Sequence, residues 1–214
     1  MGPMCYNKLG LYEEKSMKKA LLVGLCFGLM GCAGLKTSAE YVARANGYVK
    51  DGKPTQAVEA YNRAVVLNPR NLDAYEGRGA AYYFKGQFEL AQQDFERVLQ
   101  ADPYRVSVYT AYASALAAQG NFEQALVALD VSAQLRPNQA ETYFARAGVY
   151  YMLGKYDLAV ADYTRTLQLR PAADVFNARG AAYLKWGQRE QAEQDFKTAK
   201  TANIPQHLND LAGL

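Results

Sequence analysis

Cysteine and histidine are scarce in this chain, and their scarcity excludes several classes of site. The cysteines are Cys5, Cys26 and Cys32, so the chain after Cys32 contains none. The single histidine is His207. These counts exclude a disulfide framework and a metal site built from cysteine and histidine in the body of the chain. We expect that this chain is not an enzyme and binds no cofactor, because the sequence offers no nucleophile–histidine pair and no phosphate-binding loop.

The chain also lacks a large excess of positive or negative charge. The formal net charge is +3, and residues 1–31 contribute +2 of it through four lysines and two glutamates. The body of the chain is therefore close to neutral. Proteins that bind nucleic acid need a basic surface to contact the phosphates. A nucleic-acid partner is not predicted.

No apolar run is long enough to span a bilayer, which takes about 20 residues. The run Ala20–Gly31 is much shorter than this and follows the basic sequence Met17-Lys18-Lys19. A short apolar run after basic residues is typical of a secretory signal peptide, here residues 17–31. A buried core helix is the alternative, but the run is apolar on all sides and is interrupted by Gly24 and Gly28.

The apolar run closes with Leu29, Met30, Gly31 and Cys32, which resemble the lipobox of bacterial lipoproteins. The resemblance implies cleavage before Cys32, acylation of Cys32 and a short tether over residues 32–37. Several acyl chains anchor a protein firmly, whereas a single chain holds it only marginally. Ala33 follows the cysteine, which by the same resemblance favours the outer membrane with the protein facing the periplasm. An ordinary cleaved signal with an incidental cysteine is the alternative.

Residues 1–16 do not fit a signal peptide, because such peptides begin with their basic residues. We therefore expect Met17 rather than Met1 to be the true start, and residues 1–16 to be a non-native extension.

One repeated period organises the rest of the chain. Prolines recur at a constant spacing, at Pro69, Pro103, Pro137, Pro171 and Pro205. Glycines recur with them, at Gly52, Gly86, Gly120, Gly154 and, after the loss of one residue, Gly187. The period predicts five units over residues 38–71, 72–105, 106–139, 140–172 and 173–205, and a C-terminal tail or cap over 206–214.

Each unit predicts two helices joined by a turn. In the second unit Tyr75, Gly79 and Tyr82 share one helical face at i, i+4 and i+7. Gly86 then supplies a turn, because glycine tolerates backbone conformations closed to other residues. A second helix ends at Asp102, since the following proline disfavours the helical conformation there.

The repeated residues resemble the tetratricopeptide repeat family, whose pattern runs aromatic or Leu, Gly/Ala, Tyr, Ala, Phe/Tyr, Ala and Pro. The units depart from it at Val98, Ser132 and Thr166, where a small residue is usual. The resemblance implies an all-α fold, a right-handed α-solenoid of helical hairpins. A single hairpin cannot bury its own apolar face, so several must stack.

Two polar positions vary together from unit to unit. Arginines occupy one of them, and aspartates at a fixed distance further along the unit occupy the other: Arg78, Arg146 and Arg179, with Asp94, Asp162 and Asp195. The third unit loses both, with Tyr112 and Ala128 instead, and the first keeps Arg44 but has Ala60. We predict an Arg–Asp bridge inside the hairpins that carry both residues. The alternative is that both side chains merely face water.

The family resemblance also implies a concave groove lined by the first helix of each hairpin. The residues expected to bind a partner there are Asn46, Tyr83, Phe84, Phe144, Tyr151, Met152 and Asn177, with small residues such as Ser114, Ala117 and Gly148 between them. Aromatic and methionine anchors suit a helix or extended peptide laid in a groove. The alternative is that these rings pack against their own neighbours. A carboxylate clamp of the chaperone-binding kind is incomplete, because Val42 stands where a basic residue would accompany Asn46.

These features predict an interaction scaffold tethered to the bacterial envelope that helps to assemble a pilus or secretion complex. An adaptor that recruits peptidoglycan enzymes to the outer membrane is a second hypothesis. A cytosolic co-chaperone is a third, which the lipobox and the incomplete clamp disfavour. The expected partners are envelope proteins, and self-association stays open.

Overall fold

The computed structural model describes residues 37–202, in which the chain forms ten α-helices and no strand. The predicted signal peptide, the lipobox residues Leu29 to Gly31, Cys32 and the tail lie outside the described residues. The helices are Ser38–Lys50 (α1), Pro54–Leu67 (α2), Leu72–Phe84 (α3), Phe88–Ala101 (α4), Val106–Ala118 (α5), Phe122–Leu135 (α6), Ala140–Met152 (α7), Tyr156–Leu169 (α8), Ala173–Trp186 (α9) and Arg189–Ala202 (α10). They pair into five hairpins, numbered from hairpin 1 (α1 and α2) to hairpin 5 (α9 and α10).

Local sequence sets where the helices begin and end. The side chain of Thr37 accepts a hydrogen bond from the Glu40 amide, and the Glu40 side chain accepts one from the Thr37 amide, so that α1 begins with a capping box. A glycine with φ between 69° and 89° closes the turn inside every hairpin. In hairpins 1 to 4, the residue that follows the second helix leaves the helical conformation because a proline comes next. These residues are Asn68, Asp102, Arg136 and Arg170.

The two helices of a hairpin approach closely at small residues. Ala45, Ala57, Ala91 and Ala125 are fully buried between paired helices. In hairpin 2, a Cβ atom on Gly79 would lie 2.8 Å from Cε1 of Phe95. This distance shows that the ring lies directly against the α3 backbone. The same contact recurs in hairpin 5 between Gly180 and Phe196.

The hairpins stack into two layers. The second helix of each hairpin packs against the first helix of the next one. The first helices also touch one another directly, α1 with α3, α3 with α5 and α5 with α7, so these helices form the inner layer. The second helices form the outer layer. The prediction of an all-α, right-handed α-solenoid of helical hairpins is confirmed.

One apolar side chain per hairpin fills the space between successive first helices. Tyr61, Phe95, Leu129 and Tyr163 occupy this position in hairpins 1 to 4, and all four are buried. Burial of a large apolar side chain stabilises the fold by about 1.5–3 kcal/mol. Each of these side chains belongs to a buried cluster that also contains residues of the next hairpin, so that four clusters link the five hairpins in succession.

Two features that would bear on function are absent from residues 37–202. None of the helices there combines the length and the apolar character needed to cross a membrane. In the same range, no group of three or more His, Cys, Asp or Glu side chains is arranged to hold a metal ion.

Candidate partner-binding groove

A cavity of about 180 Å³ opens between the first helices of hairpins 2, 3 and 4. Tyr83 and Met152 flank it, and Met152 is 64% exposed. Its floor is formed by small residues of α5 and α7, among them Ser114, Ala117 and Gly148. The structure therefore brings together Tyr83 and Met152, two of the residues predicted to bind a partner.

The cavity exists because hairpin 3 carries leucine where its neighbours carry a ring. Leu129 lies at the position of Phe95 and Tyr163, and it lines the cavity from below. In hairpin 4 the Tyr163 hydroxyl reaches to 4.0 Å from where a Cβ atom on Gly148 would lie. Leucine is shorter than tyrosine, so the corresponding space above Leu129 stays open. The break in the ring series at Leu129 was the sequence signal for this cavity.

The cavity presents apolar surface with few competing polar groups. The Ser114 hydroxyl donates a hydrogen bond to the Thr110 carbonyl oxygen at 2.9 Å, within its own helix. This hydroxyl is already satisfied and does not demand a polar ligand. A shallow apolar cavity between an aromatic ring and a methionine fits an apolar side chain of a peptide or helix.

Two of the predicted groove residues pack largely against the second helix of their own hairpin. The Phe144 ring lies 5.5 Å from the Tyr163 ring, and the Tyr151 ring lies 5.5 Å from the Tyr156 ring, both edge to face. These contacts match the alternative interpretation of the sequence, in which the rings serve internal packing. Phe144 and Tyr151 support the wall of the groove and do not line the cavity.

The remaining predicted residues lie apart from the cavity. Phe84 is 73% exposed and borders a separate space of about 320 Å³ with Val49 and Pro54, beside the turn of hairpin 1. Asn46 accepts a hydrogen bond from the Tyr61 hydroxyl, which occupies its amide oxygen. Asn177 is exposed on α9. The groove is therefore a row of separate small sites, of which the one above Leu129 joins three hairpins.

The predicted Arg–Asp pairs form bidentate salt bridges in hairpins 2, 4 and 5. In hairpin 2 Nε and Nη2 of Arg78 donate to the two carboxylate oxygens of Asp94 at 2.8 Å and 2.7 Å. Arg146 with Asp162 and Arg179 with Asp195 repeat this geometry at 2.7–2.8 Å. The three carboxylates are buried. The hydrogen bond to its aspartate is the largest cause that raises the pKa of each guanidinium.

Each of these arginines also donates a hydrogen bond to the preceding hairpin. This second contact was not predicted from the sequence. Nη1 of Arg78 donates to Asn62 of hairpin 1 at 2.8 Å. Nη1 of Arg146 donates to Asp130 of hairpin 3 at 2.7 Å, and Nη1 of Arg179 donates to Thr164 of hairpin 4 at 3.0 Å. One guanidinium thus joins three helices. The signal was present in the sequence as a hydrogen-bond acceptor in the preceding helix, at a nearly constant distance before each arginine.

Hairpin 3 is also linked to the preceding hairpin, but its donor is a neutral tyrosine and not an arginine. The Tyr112 hydroxyl donates to Oε1 of Glu96 at 2.9 Å, and Glu96 also accepts from Gln92. Burial, followed by the hydrogen bond to Glu96, raises the pKa of Tyr112 to about 12. The tyrosine stays neutral in the folded chain at ordinary pH. Ala128, which replaces the aspartate, is buried beneath it.

Sequence models of the tetratricopeptide repeat match most of the described chain, over residues 45–86, 85–147, 140–173 and 173–203. No curated protein sequence matches the chain.

Solved structures share the fold at low sequence identity. A thermophilic TPR protein from Thermus thermophilus is 21% identical, with a TM-score of 0.69, over 81% of this chain and 94% of that one. MamA from Desulfovibrio magneticus is 15% identical, with a TM-score of 0.69, over 77% of this chain and 94% of that one. Another MamA structure is 23% identical, with a TM-score of 0.65, over 74% and 93% of the two chains.

Proposed function

The chain belongs to the tetratricopeptide repeat family, and we propose that it gathers protein partners by holding an apolar anchor of a peptide or helix in its inner groove. Repeats of this family are scaffolds for protein–protein interaction and are generally not enzymes. We assign no catalytic role to this chain. Its arginine–aspartate bridges join helices of the stack and are not available as a reactive site.

The cavity above Leu129 is the observation that carries this proposal. It lies on the inner layer, it is bordered by three hairpins, and its exposed flank is Met152. Methionine is flexible and polarisable, which suits it to contacts with partners of varied shape. A partner side chain that enters the cavity would touch Tyr83 on one side and Met152 on the other. Aromatic and methionine residues are enriched where proteins bind one another.

We further propose that this scaffold lies on the periplasmic side of the bacterial outer membrane. Support comes from the signal-like residues 17–31 and from Leu29-Met30-Gly31-Cys32, with Cys32 as the lipidated residue. A tethered array of hairpins could hold subunits near the membrane while they assemble. Within this envelope role we favour assembly of a pilus or secretion complex. The membrane partner is then the lipid bilayer itself, through the acyl chains.

Photo-crosslinking in the intact cell tests the groove. The full chain would carry benzoylphenylalanine at Met152, or as a matched control at Val127, which is 65% exposed on the outer helix α6. We expect a defined envelope protein to crosslink from position 152 and not from position 127. A Gly148→Leu change would fill the cavity and abolish the crosslink, while the helical content measured by circular dichroism stays the same.

Equal crosslinking from both positions, or a crosslink that survives Gly148→Leu, would show that the groove is not the binding site. A cell-wall enzyme in place of a pilus or secretion protein would keep the groove and move the role to recruitment of that enzyme. The anchor is tested in the same cells with Cys32→Ser. We expect this variant to leave the outer-membrane fraction, and its retention there would contradict lipidation at Cys32.

A further inference from the structure

Hairpin 1 has a surface on the side away from hairpin 2 with a distinctive set of residues. In later hairpins the equivalent residues contact the second helix of the preceding hairpin. We call this surface the N-terminal face. It is defined by Tyr41, Arg44, Tyr48 and Arg63. Hairpins 2 and 4 have the same residue types at the same four positions. These residues are Tyr75, Arg78, Tyr82 and Arg97 in hairpin 2, and Tyr143, Arg146, Tyr150 and Arg165 in hairpin 4.

In hairpin 4 these residues lie against the second helix of hairpin 3 and the linker that follows it. Arg146 donates from Nη1 to Asp130 of α6 at 2.7 Å. Arg165 lies over the Tyr143 ring, 5.7 Å from its centroid, and reaches Oδ1 of Asn138 in the linker at 3.3 Å.

Hairpin 2 repeats the arrangement with the second helix of hairpin 1. Arg78 donates to Asn62 of α2 at 2.8 Å. Arg97 lies 4.6 Å from the centroid of the Tyr75 ring, and Tyr75 is buried. In both interior examples, the face with two tyrosines and two arginines therefore lies against the preceding helix and its linker.

On hairpin 1, no helix within residues 37–202 covers the same face, which borders a cavity of about 660 Å³ that includes Ala60 and Val66. Val66 is 75% exposed. Among residues 37–202, Arg44 and Arg63 make no ion pair.

The substitution at position 60 changes what this face can bind. In hairpins 2, 4 and 5 an aspartate of the same hairpin accepts from Nε and Nη2 of the arginine, and Nη1 donates to the preceding helix. Ala60 supplies no such carboxylate, so within hairpin 1 the Nε and Nη2 donors of Arg44 are not taken by an aspartate at this position. Glu59 is the acidic residue that borders the face, and it is outnumbered by Arg44 and Arg63. Arginine pairs best with a planar carboxylate that accepts two parallel hydrogen bonds.

We propose that the N-terminal face binds an amphipathic helix of a partner protein that presents a carboxylate to Arg44 between two apolar residues. The template is the interior interface itself. In α6 the acceptor Asp130 follows Leu126 by four residues and precedes Ala133 by three, which puts the three on one side of the helix. The partner helix repeats this pattern, with its acid against Arg44 and its apolar residues against Tyr41, Tyr48 and Val66.

A second copy of this chain does not fit the face. The helix that would stack on it end to end is α10, which carries Lys197 at the position of Asp130 in α6. Stacking would bring Lys197 against Arg44, and like charges in contact oppose association. The like charges therefore oppose end-to-end stacking of two copies, and the proposed occupant is a helix of a different protein with an acidic residue at this position.

The probe for the test is a synthetic peptide with the sequence of residues 122–135, acetylated and amidated. A lactam bridge between Gln124→Glu and Ala128→Lys substitutions holds it helical, because isolated helices of this length are marginal in water. Positions 124 and 128 precede Asp130 by six and two residues, which puts the bridge on the side of the helix away from Asp130, Leu126 and Ala133. The paired probe is the same peptide with Asp130→Asn. Binding is measured by fluorescence anisotropy to the full chain in detergent micelles.

We expect the acidic peptide to bind about fivefold to thirtyfold more tightly than the Asn peptide, the difference of one charge-assisted bond. Arg44→Ala in the chain should weaken the acidic peptide by a similar factor and remove the difference between the two peptides. Arg189→Ala, an exposed arginine at the far end of the array, is the control and should change neither. Circular dichroism checks that the variants are folded.

Three results would overturn the proposal. The first is no binding of the acidic peptide up to about 1 mM. The second is equal binding to the Arg44→Ala chain. The third is loss of binding with Gly148→Leu, which would put the peptide in the inner groove and not on the N-terminal face.

Discussion

A single arginine side chain joins three helices of two successive hairpins. The guanidinium has five donors in a rigid plane, and Arg146 directs two to Asp162 and one to Asp130. The Tyr143 ring lies 5.4 Å from this guanidinium and adds a cation–π contact. Asp162 is buried and would be costly to leave unpaired. The arginine is therefore tolerated inside the stack because its charge is balanced locally.

Hairpin 3 shows that the same place can be filled without an ion pair. Tyr112 replaces the arginine and Ala128 replaces the aspartate, so both residues of the pair change together. Replacing a buried pair by apolar groups of similar volume is often neutral, whereas removing one partner strands a charge. The joint replacement in hairpin 3 follows this rule, since either change alone would leave Arg or Asp without its partner.

We predict that a tyrosine and an alanine, the pair found in hairpin 3, can replace the arginine and aspartate of hairpin 4. Asp162→Ala should lower the free energy of unfolding by about 3 kcal/mol, because Arg146 loses its buried counter-ion. Adding Arg146→Tyr should recover about 1–3 kcal/mol of this loss, as a tyrosine hydroxyl can donate to Asp130 as Tyr112 does to Glu96. Urea unfolding of the wild type, both single variants and the double variant measures the coupling. Purely additive effects would mean that the two residues do not act as a pair.

At the scale of the helix, the sequence carried nearly all of the information about the fold. Proline after Asn68, Asp102, Arg136 and Arg170 ends four helices through a constraint that acts on the preceding residue alone. Glycine in each turn and small residues at close contacts are equally local. Periodic signals of this kind need no knowledge of neighbouring hairpins.

The candidate site was less predictable because it depends on the fit between hairpins. Phe144 and Tyr151 lie on the groove side of α7 by sequence position, yet their rings turn onto Tyr163 and Tyr156 of α8. Position on a helix fixes the direction of the Cα–Cβ bond and leaves the rotamer to local packing. The cavity itself is set by the missing ring volume at Leu129, which matters only when α5 and α7 are in place around it.

Glycines inside the first helices illustrate how one residue type serves two different purposes. Gly79 admits the Phe95 ring against the backbone, and any Cβ there would collide with it. Gly148 lies on the groove floor, where a Cβ would meet nothing closer than 4.0 Å. The first glycine is required by packing, and the second leaves room above the cavity.

We predict opposite effects of the same substitution at these two glycines. Gly148→Ala should raise the free energy of unfolding by about 0.5–1 kcal/mol, since alanine is the better helix former and the space is free. Gly79→Ala should lower it by about 1–3 kcal/mol, because the Phe95 ring must shift out of a well-packed interface. Thermal and urea unfolding of the two variants provide the comparison. A destabilising Gly148→Ala would mean that the groove floor is tighter than the structure shows.

At the scale of the whole molecule, stability is a sum of hairpin terms and nearest-neighbour interface terms. The interface between α6 and α7 differs from the others in kind. Ser132 replaces the usual small apolar residue, and its hydroxyl pairs with that of Thr142 at 2.8 Å, with both residues fully buried. The cavity above Leu129 adjoins this interface and removes further packing. Besides the apolar contact of Val149 with hairpin 3, hairpins 1–3 and hairpins 4–5 are thus joined by a buried polar pair and the Arg146–Asp130 link.

We therefore predict that weakening this interface lets the two parts of the array open separately. Thr142→Val keeps the shape of the side chain and leaves the Ser132 hydroxyl without its partner, at a cost of about 1–3 kcal/mol. Native-state hydrogen exchange should then show a larger loss of protection in α7 to α10 than in α1 to α4, because the shorter part has fewer neighbours to stabilise it. Thr201→Val, at an exposed position near the end of α10, is the control and should leave protection elsewhere unchanged. A uniform fall in protection along all ten described helices would instead show that the array unfolds as one cooperative unit.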